Sequence, residues 1–133
     1  MLRIEFNITQ RPFYIPGTSR YPVTLSLHFH QGDRLLVSVE RLNLECVYDL
    51  RNWLISDFFY QKHFLMTDEH HRLPFVVGLL YAPQERGWRL MAHQHDQDYR
   101  VLEGHFSEVE VRDGLNAFFE DLRVALIAFG VHL

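Results

Sequence analysis

The sequence holds one cysteine, Cys46, and one lysine, Lys62, in 133 residues. A lone cysteine excludes an intrachain disulfide, so the fold must stand on packing, and a reducing compartment suits it. No stretch approaches the ~18 consecutive apolar residues of a membrane-spanning helix. The opening residues, MLRIEFNITQ, alternate apolar and polar and lack the apolar segment of a secretory leader. The expectation is a cytoplasmic chain without membrane association. An excess of basic charge is also missing. The 13 Lys and Arg against 17 Asp and Glu leave a formal charge of −4, the wrong sign for holding a nucleic-acid backbone. Catalytic motifs are absent as well. "PGTSR" (16–20) lacks the glycine and lysine spacing of a phosphate loop. The carboxylates are scattered, without the flanking context of general acid–base chemistry.

What is present is a packed interior. Hydrophobic residues make up 47% and charged residues 23%, the balance of one folded domain spanning 1–133. The 11 Phe, 6 Tyr and 2 Trp are many for this length, and rings left outside a core tend to mark contact surfaces.

Periodicity places the elements. Leu2, Ile4, Phe6 and Ile8 alternate with polar residues, and Val23, Leu25, Leu27 and Phe29 alternate with Thr24, Ser26, His28 and His30. Both patterns read as half-buried strands. "QGD" (31–33) turns the second into a third strand through Leu35, Val37 and Val39. From Cys46 to about Gln61 the period becomes helical, with Val47, Leu50, Leu54 and Phe58 on one stripe and Tyr48, Ile55 and Phe59 widening it. Residues 62–73 read as a loop with a short ordered piece. "PFVVGLLYA" and "GWRLMAHQ" flank "PQER" as a second hairpin, with Gly87 at a positive-φ turn position. The strand 75–82 is apolar on both faces and predicts a central, doubly covered strand. Residues 99–111 suggest a further strand and an irregular turn. Leu115, Phe118, Phe119, Leu122, Leu126 and Phe129 then share one helical stripe, with Asp113 as N-cap and Gly130 as stop. The expected fold class is α+β: a mainly antiparallel sheet of about five or six strands, with two helices over about 46–61 and 113–129.

Three groups of side chains invite function. His28 and His30, and His93 and His95, form two His-x-His pairs. On a strand, residues i and i+2 share a face about 6.6 Å apart, so neighbouring strands in register could gather four imidazoles around a divalent transition metal such as zinc. Imidazoles also suit the polar face of an ordinary sheet, the plainer reading. The cupin pattern, with Glu four residues after His-x-His, is not met, since Arg34 stands there. Cys46 lies between Leu44 and Val47 and reads as a small core residue. The third group is acidic. Glu103, Glu108, Glu110, Asp113, Glu120 and Asp121 gather on the approach to the last helix and on its polar face. They either meet the helix dipole or steer a cationic partner. Trp53 and Tyr60, off the stripe of the first helix, are candidate apolar anchors or rim packing.

The hairpin ending in "GWRLMAHQ", followed by the acidic-then-apolar helix "DGLNAFFEDLRVALIAFG", resembles the immunity proteins of bacterial toxin–immunity systems. The resemblance is one of architecture, in the second half of the chain. It implies a non-enzymatic protein-binding module without a cofactor, which occludes a basic toxin domain. The site would then be Trp53, Tyr60, Glu108, Glu110, Asp113, Glu120 and Asp121. Two other classes remain open. One is a metal-binding protein or metal-dependent enzyme using His28, His30, His93 and His95. The other is an assembly protein that forms a homodimer through the last helix, where "VALIAF" (124–129) is apolar almost all round.

Overall fold

The computed structural model describes residues 1–10, 23–68, 71–93, 98–128 and 130–133. The early alternation builds a three-stranded antiparallel sheet in the order β1 (Leu2–Gln10), β2 (Thr24–Gln31), β3 (Arg34–Asn43). Leu2, Ile4, Leu25, Leu27 and Phe29 are buried, as the period of two requires. The turn after β2 places Gly32 at φ 59°. In β3, Val39 is buried but Leu35 is 53% exposed. A register shift between Phe29 and His30 displaces the start of the strand from its alternation.

β3 runs straight into α1 (Leu44–Ser56). This helix ends five residues before the boundary expected near residue 61. The Asp57 N–H donates to the Trp53 carbonyl oxygen at 2.8 Å. The chain then tightens into a 3-10 turn over Phe58–Tyr60, closed by Gln61 at φ 59°. Because the backbone changes pitch there, Phe58 turns inward while Phe59 and Tyr60 turn out.

The second sheet is also antiparallel, in the order β4 (Phe64–Met66), β5 (Val77–Ala82), β6 (Gly87–His93), β7 (Tyr99–Val101). The architecture is α+β, but among the described residues seven strands divide into sheets of three and four rather than forming one sheet. β3 enters a helix, and among the described residues none of β4 to β7 pairs with a strand of the first sheet. Near the two sheets' edges the Arg34 guanidinium meets the Glu103 carboxylate at 2.9 Å, a side-chain link in place of a backbone ladder. In the β5–β6 hairpin the positive φ falls on Arg86, at 51°, and not on Gly87. Gly87 serves a different need: a Cβ there would run into the His105 ring and the Phe106 carbonyl oxygen.

The last helix, α2 (Glu108–Ile127), begins five residues earlier than expected. Asp113 lies inside it, and the N-cap is Ser107. The Ser107 hydroxyl accepts the Glu110 N–H, and the Glu110 carboxylate accepts the Ser107 N–H, a reciprocal capping box. Leu115, Phe118, Phe119, Leu122 and Leu126 form the buried stripe, joined by Val111. Phe129 lies outside the described residues. Gly130 follows the helix at φ 74°. α2 crosses β1 so closely that a Cβ on Gly114 would strike the Leu2 carbonyl oxygen.

The core is aromatic where α1 meets the second sheet. Trp53 packs edge-on to Trp88 (5.3 Å between ring centres) and Phe58 (5.4 Å), and against Phe64 (5.6 Å). Its indole N–H donates to the Lys62 carbonyl oxygen at 2.9 Å, satisfying the polar atom that burial would otherwise strand.

Gly114→Ala separates two effects. Helix propensity alone favours alanine by about 1 kcal/mol, whereas contact with the Leu2 backbone forces β1 to move and costs about 1–3 kcal/mol. Net destabilisation is expected in urea titration, and a stabilised variant would contradict the close crossing.

Candidate functional site

The described members of the two histidine pairs do not converge. His28 and His30 stand on β2, whose neighbours are β1 and β3, while His93 stands on β6 in the other sheet. His95 lies outside the described residues. Both His28 ring nitrogens are engaged: the Asn7 amide donates to Nε2 at 3.3 Å, leaving Nδ1 to meet Ser38 Oγ at 2.8 Å. His30 Nε2 lies 3.5 Å from the Glu5 carboxylate, without hydrogen-bond geometry. His93 packs edge-on to the Tyr99 ring at 5.4 Å. Among the described residues no group of three or more His, Cys, Asp or Glu is arranged to hold a metal.

The acids of the last helix divide into two sets. Glu110 is engaged by the cap and lies 3.0 Å from the Met1 amine, and together these hold its pKa below the ordinary glutamate value, the amine contributing most. Glu120 binds Arg123 through two contacts, at 2.6 and 3.0 Å, and Glu103 binds Arg34. Hydrogen bonds from these guanidiniums lower both carboxyl pKa values. Glu108, Asp113 and Asp121 are freer. Among the described residues Asp113 has only the adjacent Arg112, at 3.8 Å. Asp113 and Asp121, joined by Asp33 from the β2–β3 turn, rim a cleft of about 320 Å³ between α2 and β1. Leu2, Ile4, Ala117 and Phe118 supply its apolar lining, and Arg3 stands at the same cleft. Asp33 is a site residue that the sequence does not single out, because only the fold brings this turn to the helix.

The apolar anchors are redistributed. Trp53 is 5% exposed and belongs to the core, so it is unavailable to a partner. Tyr60 is 70% exposed and meets Phe59 edge-on at 5.5 Å; Phe59 is itself 79% exposed and Ile55 74%. Ile55 and Phe59 do not widen the buried stripe: Ile55 lies within α1 but off its buried face of Cys46, Val47, Leu50 and Trp53, and Phe59 lies beyond the helix end at Ser56. Phe59 also borders a second cleft, of about 390 Å³, lined by Tyr81, Pro83, Arg86 and Glu108. On α2, Val124 and Ile127 are exposed, on the helix that the alternative reading of a homodimer would use.

Cys46 is a core thiol. It donates to the Thr67 carbonyl oxygen at 3.2 Å, and burial, then the charges of Asp68 and Asp49, push its pKa up to about 12. A thiolate nucleophile does not arise in this setting.

No protein-family model, curated protein or solved structure matches the chain. Among the described residues no helix is long and apolar enough to cross a membrane.

Two measurements check the electrostatics. A disulfide-exchange reagent at pH 8 should leave Cys46 unmodified in the native protein and modify it fully in denaturant; rapid native reaction would contradict the raised pKa. Glu110, with its folded pKa depressed, contributes stability above the unfolded value of ~4.3 and loses it as pH falls through the folded value. The Glu110→Gln variant should therefore be less stable than the parent at pH 7 and converge with it in acid, as read by thermal melting across pH.

Proposed function

We propose that this chain is a protein-binding module, an immunity protein that seats a basic surface of a toxin domain and occludes it. The observation that carries the reading is the cleft between α2 and β1, with three aspartates at its rim and an apolar lining. A lysine or arginine suits such a place, since its stem packs on apolar surface while its charged head meets carboxylates. The pairing that engages Glu103, Glu110 and Glu120 leaves Asp113 and Asp121 as the acids with most to gain from a cation.

Ile55, Phe59 and Tyr60 supply the apolar component that charge alone lacks, because rigid exposed rings lose little entropy when a partner covers them. Glu108, beside Phe59, and Asp121, at the other cleft, are separated by about 20 Å along α2 at 1.5 Å per residue. One partner of standard interface size could span both.

The test is co-purification with toxin domains encoded beside this chain, followed by binding kinetics. Asp113→Lys combined with Asp121→Lys should slow association about tenfold or more and flatten its salt dependence. Phe59→Ala should raise the dissociation rate by at least about tenfold. The proposal fails if no such domain forms a complex, or if a complex ignores both changes.

A further inference from the structure

The second cleft, of about 390 Å³, is framed by three separate elements: the 3-10 turn after α1, the β5–β6 hairpin turn and the first residue of α2. That volume is within the range of small-molecule sites, about 300–1,000 Å³. A backbone bridge fixes part of the frame. Trp88 donates its N–H to the Phe106 carbonyl oxygen at 2.7 Å, and the Phe106 N–H donates back to the Trp88 carbonyl oxygen at 2.9 Å. Two residues outward from this antiparallel pair stand Arg86 on one side and Glu108 on the other. Both line the cleft.

These two charges are left unused by the fold. Glu85, the acid beside Arg86 in the chain, is bound through both oxygens by Arg89 at 2.7 Å. Arg112, one turn on from Glu108, lies against Asp113 instead. Among the described residues neither the Arg86 guanidinium nor the Glu108 carboxylate has an ion-pair or hydrogen-bond partner.

The backbone beneath the cleft is held in a costly shape. Gln61 closes the first 3-10 turn at φ 59°, and Arg86 closes a second, Pro83–Glu85, at φ 51°. Glycine takes this left-handed conformation freely. A residue with a Cβ is strained in it, and strain of this kind gathers at ligand clamps. Two positions that stability alone would give to glycine thus carry long polar side chains, and both line the same cleft. Aromatic rings complete it. Trp88 and Phe58, both buried and 5.1 Å apart, form the floor. Tyr81 leans on Trp88 at 5.3 Å, and exposed Phe59 stands at the rim.

The geometry points to a small zwitterion with an aromatic side chain, a free aromatic α-amino acid, as the ligand of this cleft. Its carboxylate meets the Arg86 guanidinium, whose fork matches two oxygens. Its ammonium meets the Glu108 carboxylate, and its ring lies against Tyr81 and Phe59. A ligand carrying one charge would cover the opposite residue without giving it a partner, which costs affinity. Unpaired groups of both signs at one cleft therefore select a molecule that bears both. This goes beyond the toxin-docking reading and does not rest on it, since the ligand is held by the free chain.

Calorimetric titration of the full chain with L-phenylalanine tests it. Saturable binding at one site is expected. 3-Phenylpropionate, which lacks the ammonium, phenethylamine, which lacks the carboxylate, and L-alanine, which lacks the ring, should each bind at least tenfold more weakly. Arg86→Gly keeps the left-handed turn and removes the guanidinium, so the fold should stand in circular dichroism while affinity for L-phenylalanine falls at least tenfold. Glu108→Gln should weaken binding by a similar factor. Asp113→Lys with Asp121→Lys, at the other cleft, should leave it unchanged. The inference is overturned if L-phenylalanine shows no saturable binding at about ten times a Kd of ~1 mM. Binding that survives both Arg86→Gly and Glu108→Gln overturns it too, as does binding that phenethylamine or 3-phenylpropionate matches.

Discussion

The burial of Trp53 is the constraint on which the arrangement depends. Among the described residues the two sheets share no backbone ladder; α1 continues directly from the first and reaches Phe64 and Trp88 of the second through this ring. Trp88, Phe58 and Phe64 enclose it, and the Lys62 carbonyl oxygen takes its N–H. That hydrogen bond holds the chain leaving the 3-10 turn close to α1. The turn residues that face away, Phe59 and Tyr60, are therefore presented on a rigid corner. The same packing that removes one aromatic from the surface positions two others on it.

Strand periodicity was the part of the fold most legible in the sequence. Leu25, Leu27 and Phe29 are buried as their alternation requires, because a half-buried strand leaves a two-residue signature that few other structures imitate. Helix ends were harder. Phe58, Phe59 and Tyr60 prolong an apolar pattern past Asp57, and no glycine or proline marks the break at Ser56. At the other helix, Glu108-Val109-Glu110-Val111 alternates like a strand, so the first turn of α2 was hidden although Ser107 and Glu110 spell a capping box. The division into two sheets is decided by strand pairing, which periodicity does not encode.

The candidate site was legible as an inventory and not as a constellation. Asp113, Asp121 and Tyr60 are surface groups, as their patterns imply, but Trp53 is not. Asp33 joins the cleft from a turn 80 residues before Asp113. Local pairing then decides which acids remain open to a partner. Arg123 one turn from Glu120, the Met1 amine beside Glu110 and Arg34 beside Glu103 each offset a carboxylate. Formal charge therefore overstates the negative field available for docking at this helix.

Lys62 gives the aromatic corner a further property. It is the sole side-chain amine of the chain, 65% exposed and 3.8 Å from Asp57. It follows Tyr60 by two positions. Acylation, carbamylation or any conjugation that needs a lysine nitrogen has one side-chain address on this molecule, at the margin of the exposed rings of Phe59 and Tyr60. A covalent tag there would sit where a partner docking on those rings must pass, so the scarcity of lysine turns amine chemistry into a local reporter of whether that corner is covered.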